Sequence, residues 1–568
     1  MAANSDTRLR YLSVVFLIAA SILTAKLFFL QIIRSEDYKA QADRQYERPV
    51  GQTFNRGNIY FASRDGKNLS GATIQTGFSL VIDPTKLQNQ ETIYSALNAI
   101  YPLDYVNFLA RAEKSDDPYE EIGSHLTVAQ TKAIAALNLT GVKLVEQKWR
   151  FYPGGVLAAH VIGFMGYQGN DYSGRYGLEK YYDKLLQREE PFSFSNFLGQ
   201  GQIFLGLTDS ANLANQSGDI VTTIEPTVER FLEHELEAIT ADWQPSLTGG
   251  IIMDPKTGAI ISMAALPTFD PGGKQSDVKH LANPLVERVY EMGSIVKPLT
   301  MSAGLDAKVI TPATTYNDQG VITLGDQEIG NYDRRGRGIV SMQEVLNQSL
   351  NTGAVYVMQQ LGGERFAKYF QDFGLSGEKT GIDLPNESGG LADNLKSKRA
   401  VEYATASFGQ GIANTPLAMT TALSALANGG ALVRPFVTKE IVYETKLSHE
   451  TSPVIRRQVI SNGAASTTTA MLVKVVDQAL LGGKERLPRY QVAAKTGTAQ
   501  IRQPGGGYYS DRYLHSFFGY FPASNPRFTI FLFAVEPQGA EYASATLTKP
   551  FFNLTKFLLN YYQIPPDR

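Results

Sequence analysis

Apolar and polar positions change their period several times along this chain, and each change marks an element. From Tyr11 to Ile33 the residues are almost continuously apolar, a run that spans roughly 34 Å at the helical rise and is long enough to cross a bilayer. Leu23-Thr-Ala25 has the small residues of a leader cleavage site, but Leu27-Phe-Phe-Leu30 and Ile32-Ile33 carry the apolar run past it, which favours an uncleaved anchor. Gly51 to Ile82 alternates apolar residues with turn-formers such as Ser63-Arg-Asp-Gly66, the pattern of strands and hairpins. Thr92 to Leu139 has a helical period, broken at Lys114-Ser-Asp-Asp-Pro118. A helix over Pro226 to Asp242 is followed by two β-rich runs between Gly249 and Met263. They are joined by Asp254-Pro-Lys-Thr-Gly258, in which Pro255 sets φ and Gly258 frees it. From Ala303 to about Leu480 the pattern is mainly helices and loops. Strands return at Gln491 to Ala499, Phe517 to Phe521 and Phe528 to Val535, and Pro550 to Tyr562 closes the chain as a helix. Strands at both ends with helices between them predict an α+β domain, helices flanking one antiparallel sheet, beginning near residue 244.

Composition narrows the function. The chain has 568 residues, 43% of them hydrophobic, enough for two or more domains. Lys and Arg number 53 against 55 Asp and Glu, a formal charge of -2, so no polyanionic partner is implied and nucleic-acid binding has no support. Absence of cysteine excludes disulfides, thiol catalysis and Cys-ligated metal, and with six histidines no zinc site and no cofactor is expected. His160 has no partner in view and is read as structural. The glycine-rich Arg502 to Asp511 lacks phosphate-loop spacing and is expected to form a flexible lip. Arginines and lysines flank the apolar run on both sides, so charge casts no decisive vote on orientation. A short tail, 1–10, that stays in the cytoplasm puts the bulk of the chain outside. Lys26, the one charge within the span, either snorkels to the interface or meets a partner's membrane helix.

The candidate chemistry begins at Ser294 and Lys297. With a helix starting at about Gly293, the two share a face, and an amine of depressed pKa can take the proton of an otherwise weak nucleophile. Pro298 fits only in a first helical turn, which aims free N–H groups at a developing oxyanion. Such a pair is common by accident in a long chain. Two later stretches change its weight: Ser349-Leu-Asn351, in the apolar-periodic run from Met342 to Met358, and Lys495-Thr496-Gly497-Thr498, after the strand-like Tyr490 to Ala494. The order Ser-x-x-Lys, Ser-x-Asn, Lys-Thr-Gly is the fingerprint of penicillin-binding proteins and active-site serine β-lactamases. In that pattern Ser349 hands on protons and Asn351 holds a substrate amide. Lys495, Thr496 and Thr498 take a terminal carboxylate, and Gly497 removes a Cβ that would lift an extended substrate off the strand. The N–H groups of Ser294 and Thr498 form the oxyanion hole.

Further stretches extend the resemblance to the whole chain. Arg56-Gly-Asn-Ile59, Arg150-Phe-Tyr-Pro-Gly154, Gly177-Leu-Glu-Lys-Tyr-Tyr-Asp183, Asp254-Pro-Lys-Thr-Gly258 and Phe408 to Leu417 are similar to stretches of class B penicillin-binding proteins, the monofunctional peptidoglycan D,D-transpeptidases. The resemblance covers roughly residues 10 to 560. It implies a tail (1–10), a transmembrane anchor (11–33), a noncatalytic mixed α/β pedestal for dimerisation or partner docking (34–243) and a serine β-lactamase-like transpeptidase domain (244–568). It also implies an acyl-enzyme on Ser294 with Lys297 as base, release of terminal D-Ala, cross-linking by a neighbouring stem's amine, and inhibition by β-lactams. The chain would be a single-pass inner-membrane protein with its catalytic domain outside the cytoplasm. A multi-spanning glycosyltransferase, the SEDS-type polymerase, and other division or elongation proteins would be its partners. Lys-Thr-Gly and Ser-x-Asn resemble the division branch more than the rod-elongation branch. One departure is Tyr60-Phe-Ala-Ser-Arg-Asp-Gly66, where the family usually has Asp-Arg-Asn/Ser-Gly, which puts that hairpin's turn in question. A β-lactamase, a β-lactam-binding sensor or scaffold, and a D,D-carboxypeptidase share the three motifs.

Overall fold

A computed structural model describes residues 55–114, 116–169, 171–188, 216–273, 278–397 and 399–568, together with Lys26. The tail at 1–10 and, but for Lys26, the anchor at 11–33 lie outside the described residues. Among those described, no helix is long and apolar enough to cross a membrane.

The first hairpin forms despite its unusual turn. Ser63 N–H donates to Lys67 O and Gly66 N–H to Ser63 O, while Gly66 takes the left-handed φ of 80° that the turn requires. Strand Ile59–Ala62 therefore pairs antiparallel with the start of Asn68–Ile82.

The described residues fall into two compact units. In the smaller, Ile74–Trp149, Phe78 to Ile82 pair with strand Glu120–Leu126. Helices Gln90–Asn98, Tyr105–Ala112 and Val128–Ala136 accompany them, and the last begins with a Thr127–Gln130 capping box. Leu80, Ile82, Leu97, Phe108 and Leu126 form the core. The strand at 120–126 falls inside the stretch whose period predicted helices only. Its sequence, Glu-Glu-Ile-Gly-Ser-His-Leu, is too polar to announce a strand, and pairing with residues 78–82 decides its conformation.

The larger unit comprises Arg56–Thr73 and Arg150–Arg568. Three of the pedestal stretches meet at one buried carboxylate. Glu179 accepts from Arg56 Nε at 2.7 Å and from Arg150 Nε at 2.6 Å, and Arg56 also reaches Asp183 at 2.9 Å. Removing one partner would strand a buried charge, at a cost of roughly 3–5 kcal/mol. Strand Thr438–Tyr443 pairs with Gly218–Thr222, and the latter runs parallel to Ile59–Ala62, so residues more than two hundred positions apart share a sheet.

The main sheet uses helix α1 (Pro226–Trp243), strands β1 (Leu247–Met253) and β2 (Ile260–Leu266), helices α2 (Lys297–Asp306), α3 (Met342–Asn347), α4 (Asn351–Leu361), α5 (Pro416–Ala427) and α6 (Asn462–Lys474), strands β3 (Ala493–Arg502), β4 (Tyr508–Phe521) and β5 (Phe528–Val535), and helices α7 (Ala543–Thr546) and α8 (Thr548–Tyr561). Its order is β3-β4-β5-β1-β2, antiparallel throughout, so β3 is an edge strand. The penicillin-binding transpeptidase fold expected from the sequence is thus a five-stranded sheet with helices on both faces. Alternation sorts the two faces. Ala493, Phe518, Phe531 and Ile251 join the core with Leu299, Val355 and Leu423 of α2, α4 and α5. Ala494, Phe517, Leu532 and Ile252 pack with Leu232 of α1 and Phe551 of α8. Helix α1 precedes residue 244 but its apolar stripe, Val228, Leu232, Leu236 and Ile239, is buried in this same core.

The stretch from Ala303 to Leu480 holds more strand than its period predicts. Two short pairs, Thr315–Asp318 with Gly338–Ser341 and Val321–Leu324 with Gln327–Gly330, project before α3, and Ala431–Val433 pairs with Ile455–Gln458. The two-residue Gly325-Asp326 connection is a hairpin signal legible in the sequence. The glycine-rich stretch after β3, expected as a lip, is the turn of a hairpin: Gln503 N–H donates to Gly507 O, and Tyr508 OH donates to Glu291 Oε2 at 2.9 Å.

Candidate active site

Ser294 stands on a single 3-10 turn, Gly293–Val296, that runs directly into α2. Pro298 lies in the first turn of α2, where no N–H is lost from the helix. The turn is held from outside by the Ser407 to Asn414 stretch. Gly293 N–H donates to Gly409 O at 3.1 Å, Tyr290 and Asn414 exchange backbone hydrogen bonds, and Thr300 Oγ1 donates to Ser407 O. A Cβ on Gly409 would come within 2.2 Å of Gly293 O, so the crossing demands glycine.

Lys297 opens α2 and is buried, 1% exposed. Its Nζ donates to the Ser349 carbonyl and, at 3.2 Å, to the Ser349 hydroxyl. Lys495, on β3 and 3% exposed, donates to the same hydroxyl at 3.0 Å and to Thr496 O at 2.9 Å. Ser349 lies between α3 and α4 with a left-handed φ of 56°, a conformation that costs a non-glycine residue roughly 1–3 kcal/mol and is held only when its surroundings dictate it. With two amines donating to its oxygen, the Ser349 hydroxyl still has its own proton to donate.

Electrostatics separate the two lysines. Burial, then the neighbouring charge of Lys495, pushes Lys297 well below the ordinary lysine range. Burial alone lowers Lys495 to about 7. Both amines therefore release their protons more readily than an ordinary lysine, and Lys297 has the added push of a neighbouring charge.

The remaining predicted residues separate. Thr496 lines a cleft together with Ser349 and Lys495. The Thr498 hydroxyl accepts from Ala543 N–H at 3.1 Å and retains its own proton for a ligand. Gly497 meets a packing demand of its own. A Cβ there would meet Ser516 Oγ at 2.5 Å, Met292 O at 2.8 Å and Ile295 Cγ2 at 3.0 Å, so the glycine lets β3 close onto the turn that carries Ser294. Asn351 Nδ2 donates to Gly330 O at 2.8 Å, and its side chain ties the motif to the hairpin at 321–330. His160 is buried, its Nε2 paired with His280 O at 2.9 Å and its ring edge-on to Phe269. It belongs to the packing.

Pattern reading missed Asp318. This buried carboxylate accepts from Thr352 Oγ1 at 2.8 Å, Gly320 N–H at 3.0 Å, Asn331 Nδ2 at 3.0 Å and Arg337 N–H at 3.1 Å. Asn331 Oδ1 in turn accepts from Thr352 N–H at 3.2 Å. The residue after Asn351 is thereby clamped to the hairpins, and the Ser349 loop with it. No local pattern marks an aspartate that gathers donors from the 331–337 loop and from α4 as well as from its own turn.

The family model described as the penicillin binding protein transpeptidase domain matches residues 248–555, and that of the penicillin-binding protein dimerisation domain matches residues 52–212. Stage V sporulation protein D of Bacillus subtilis is 30% identical over 96% of this chain and 85% of its own length. The peptidoglycan D,D-transpeptidase FtsI of Buchnera aphidicola is 27% identical over 98% of this chain and 95% of its own. Penicillin binding protein 3 of Mycobacterium tuberculosis, solved with ampicillin, superposes with a TM-score of 0.68 at 25% identity, covering 91% of this chain and 97% of that one.

Proposed function

Since the chain belongs to the penicillin-binding protein transpeptidase family, we propose that it is a peptidoglycan D,D-transpeptidase of the division branch, working through an acyl-enzyme on Ser294. The observation that carries this is the Ser349 hydroxyl, which receives both the Lys297 and the Lys495 amines beside the turn bearing Ser294.

In the acylation half, Lys297 takes the Ser294 proton and Oγ attacks the penultimate D-Ala carbonyl of a stem peptide. The departing D-Ala nitrogen receives a proton through Ser349, and the C–N bond breaks. Lys495, Thr496 and Thr498 hold the terminal carboxylate, and the N–H groups of Ser294 and Thr498 receive the oxyanion. In the second half, an amine of a neighbouring stem attacks the ester and frees Ser294. β-Lactams acylate the same oxygen, in keeping with the ampicillin-bound relative.

The apolar run at 11–33 serves as a single anchor with the N-terminus in the cytoplasm and the transpeptidase domain on the outer side of that membrane. The pedestal, residues 34–243, lifts that domain and docks a multi-spanning SEDS-type polymerase that supplies glycan chains. Domain 244–568 carries the chemistry, braced by α1.

The test is direct. Ser294→Ala should abolish labelling by a fluorescent penicillin while the thermal transition is kept; retained labelling refutes the nucleophile. A thioester stem mimic offered with a D-amino acid should give exchange product, resolved by mass. Hydrolysis alone would make the protein a carboxypeptidase, and a stable adduct without turnover would make it a sensor or scaffold.

A further inference from the structure

The edge strand β3 has a direction, and the proposed chemistry uses it. With the oxyanion at Thr498 and the donor's terminal carboxylate at Lys495 and Thr496, the donor peptide lies antiparallel to β3 along its free edge, as an added strand would. The leaving D-Ala then points toward Ala494, and whatever replaces it must enter from that end. A cleft of about 530 Å³ opens there. It is lined by Ser349, Lys495 and Thr496, by Glu344, Asn347 and Gln348 of α3 and its C-terminal turn, and by Gln478. Glu344 is the acidic group in its lining, and its carboxylate is fixed by two amides, each leaving an oxygen with a further lone pair: Asn347 Nδ2 donates to Oε1 at 2.8 Å and Gln348 Nε2 to Oε2 at 2.9 Å.

Resting on the transpeptidase reading, we infer that this cleft is the acceptor site, in which Glu344 receives the ammonium of a second, peptide-borne primary amine. The ammonium gives one proton to solvent, and the neutral nitrogen attacks the Ser294 ester. The new C–N bond forms, the C–Oγ bond breaks, and the second nitrogen proton passes through Ser349 and Lys297 to Ser294 Oγ. Glu344 touches no atom that changes bonds. It raises the local concentration of amine relative to water, which needs no charged partner.

The experiment compares the full chain with Glu344→Gln, using a thioester donor and a tripeptide acceptor bearing a side-chain amine, and measures transfer against hydrolysis. Loss of a charge-assisted contact predicts a drop of roughly 10- to 100-fold in the transfer-to-hydrolysis ratio, mainly through the acceptor's KM. Penicillin acylation, which uses no acceptor, should fall far less, and deacylation by hydroxylamine, an uncharged amine, should follow acylation rather than transfer. Gln478→Glu, at an exposed position in the same lining, should lower the acceptor's KM and gives a second reading if Glu344→Gln does not fold. An unchanged transfer ratio, or equal losses in acylation and transfer, overturns the acceptor site. Failure of the unsubstituted chain to be acylated at all would instead overturn the transpeptidase reading.

Discussion

Lys495 donates a 3.0 Å hydrogen bond to the hydroxyl of Ser349, joining an edge strand to an interhelical turn across 146 positions of sequence. Lys297 reaches the same oxygen from a third element. Three motifs that are individually commonplace meet because that hydroxyl is shared.

Lys297→Ala should leave β-lactam recognition in place but slow acylation by roughly 10²–10⁴, the usual worth of a positioned general base. Stopped-flow measurement of the acylation constant checks this, and a near-normal value removes Lys297 from the role.

The two lysines impose a pH profile on kcat/KM for acylation. The base must be neutral, so the rate rises with pH as Lys297 loses its proton, well below the ordinary lysine range. The carboxylate clamp must be charged, so the rate falls again as Lys495 deprotonates, at about 7. Lys495→Arg, which stays charged, should retain the rising limb and lose the falling one, at reduced overall rate.

Asp318 should matter to the Ser349 loop without touching substrate. Asp318→Ala leaves the donors of Thr352, Asn331, Gly320 and Arg337 without their acceptor, a loss of roughly 2–4 kcal/mol. Asp318→Asn keeps one acceptor oxygen and should lose less. If the loop is what suffers, acylation falls in both variants in that order at temperatures where both remain folded; equal, wild-type acylation would confine Asp318 to stability.

Gly497→Ala tests the close approach of β3 to the Ser294 turn. Its methyl would collide with Met292 O and Ser516 Oγ, costing roughly 1–3 kcal/mol of overpacking. Acylation should drop at least tenfold with Ser294, Lys297 and Lys495 all present, as penicillin labelling would show.

Glu229 makes stability depend on pH. Buried in α1, it accepts from Ser262 Oγ at 2.6 Å and Met263 N–H at 2.8 Å, and burial, followed by the charge of Glu233, raises its pKa from 4.5 to about 8. The folded chain holds this proton more tightly than the unfolded one. Its contribution is complete below about 4.5 and is lost as pH rises through about 8. Glu229→Gln should flatten that decline while the amide oxygen still accepts both bonds, raising Tm at pH 8.5 by roughly 2–4 °C per kcal/mol recovered. An unaltered slope of Tm against pH would exclude Glu229 as its source.

What the sequence determined by itself was local. Period and turn chemistry placed β1, β2, β5 and α8, and the spacing of Ser294 and Lys297 put both at one helical start. Glycine at 497 and asparagine at 351 were visible as motif members, but the contacts they make within the fold were not. A missing Cβ says only that something comes close, and the approach of Met292 to β3, or of Gly330 to Asn351, is made by segments far away in the chain. The same holds for the polar strand at 120–126, for Asp318 and for the pKa of each buried group. Strand pairing, desolvation and hydrogen-bond satisfaction depend on neighbours that only the folded chain supplies, so tertiary structure alone decided them.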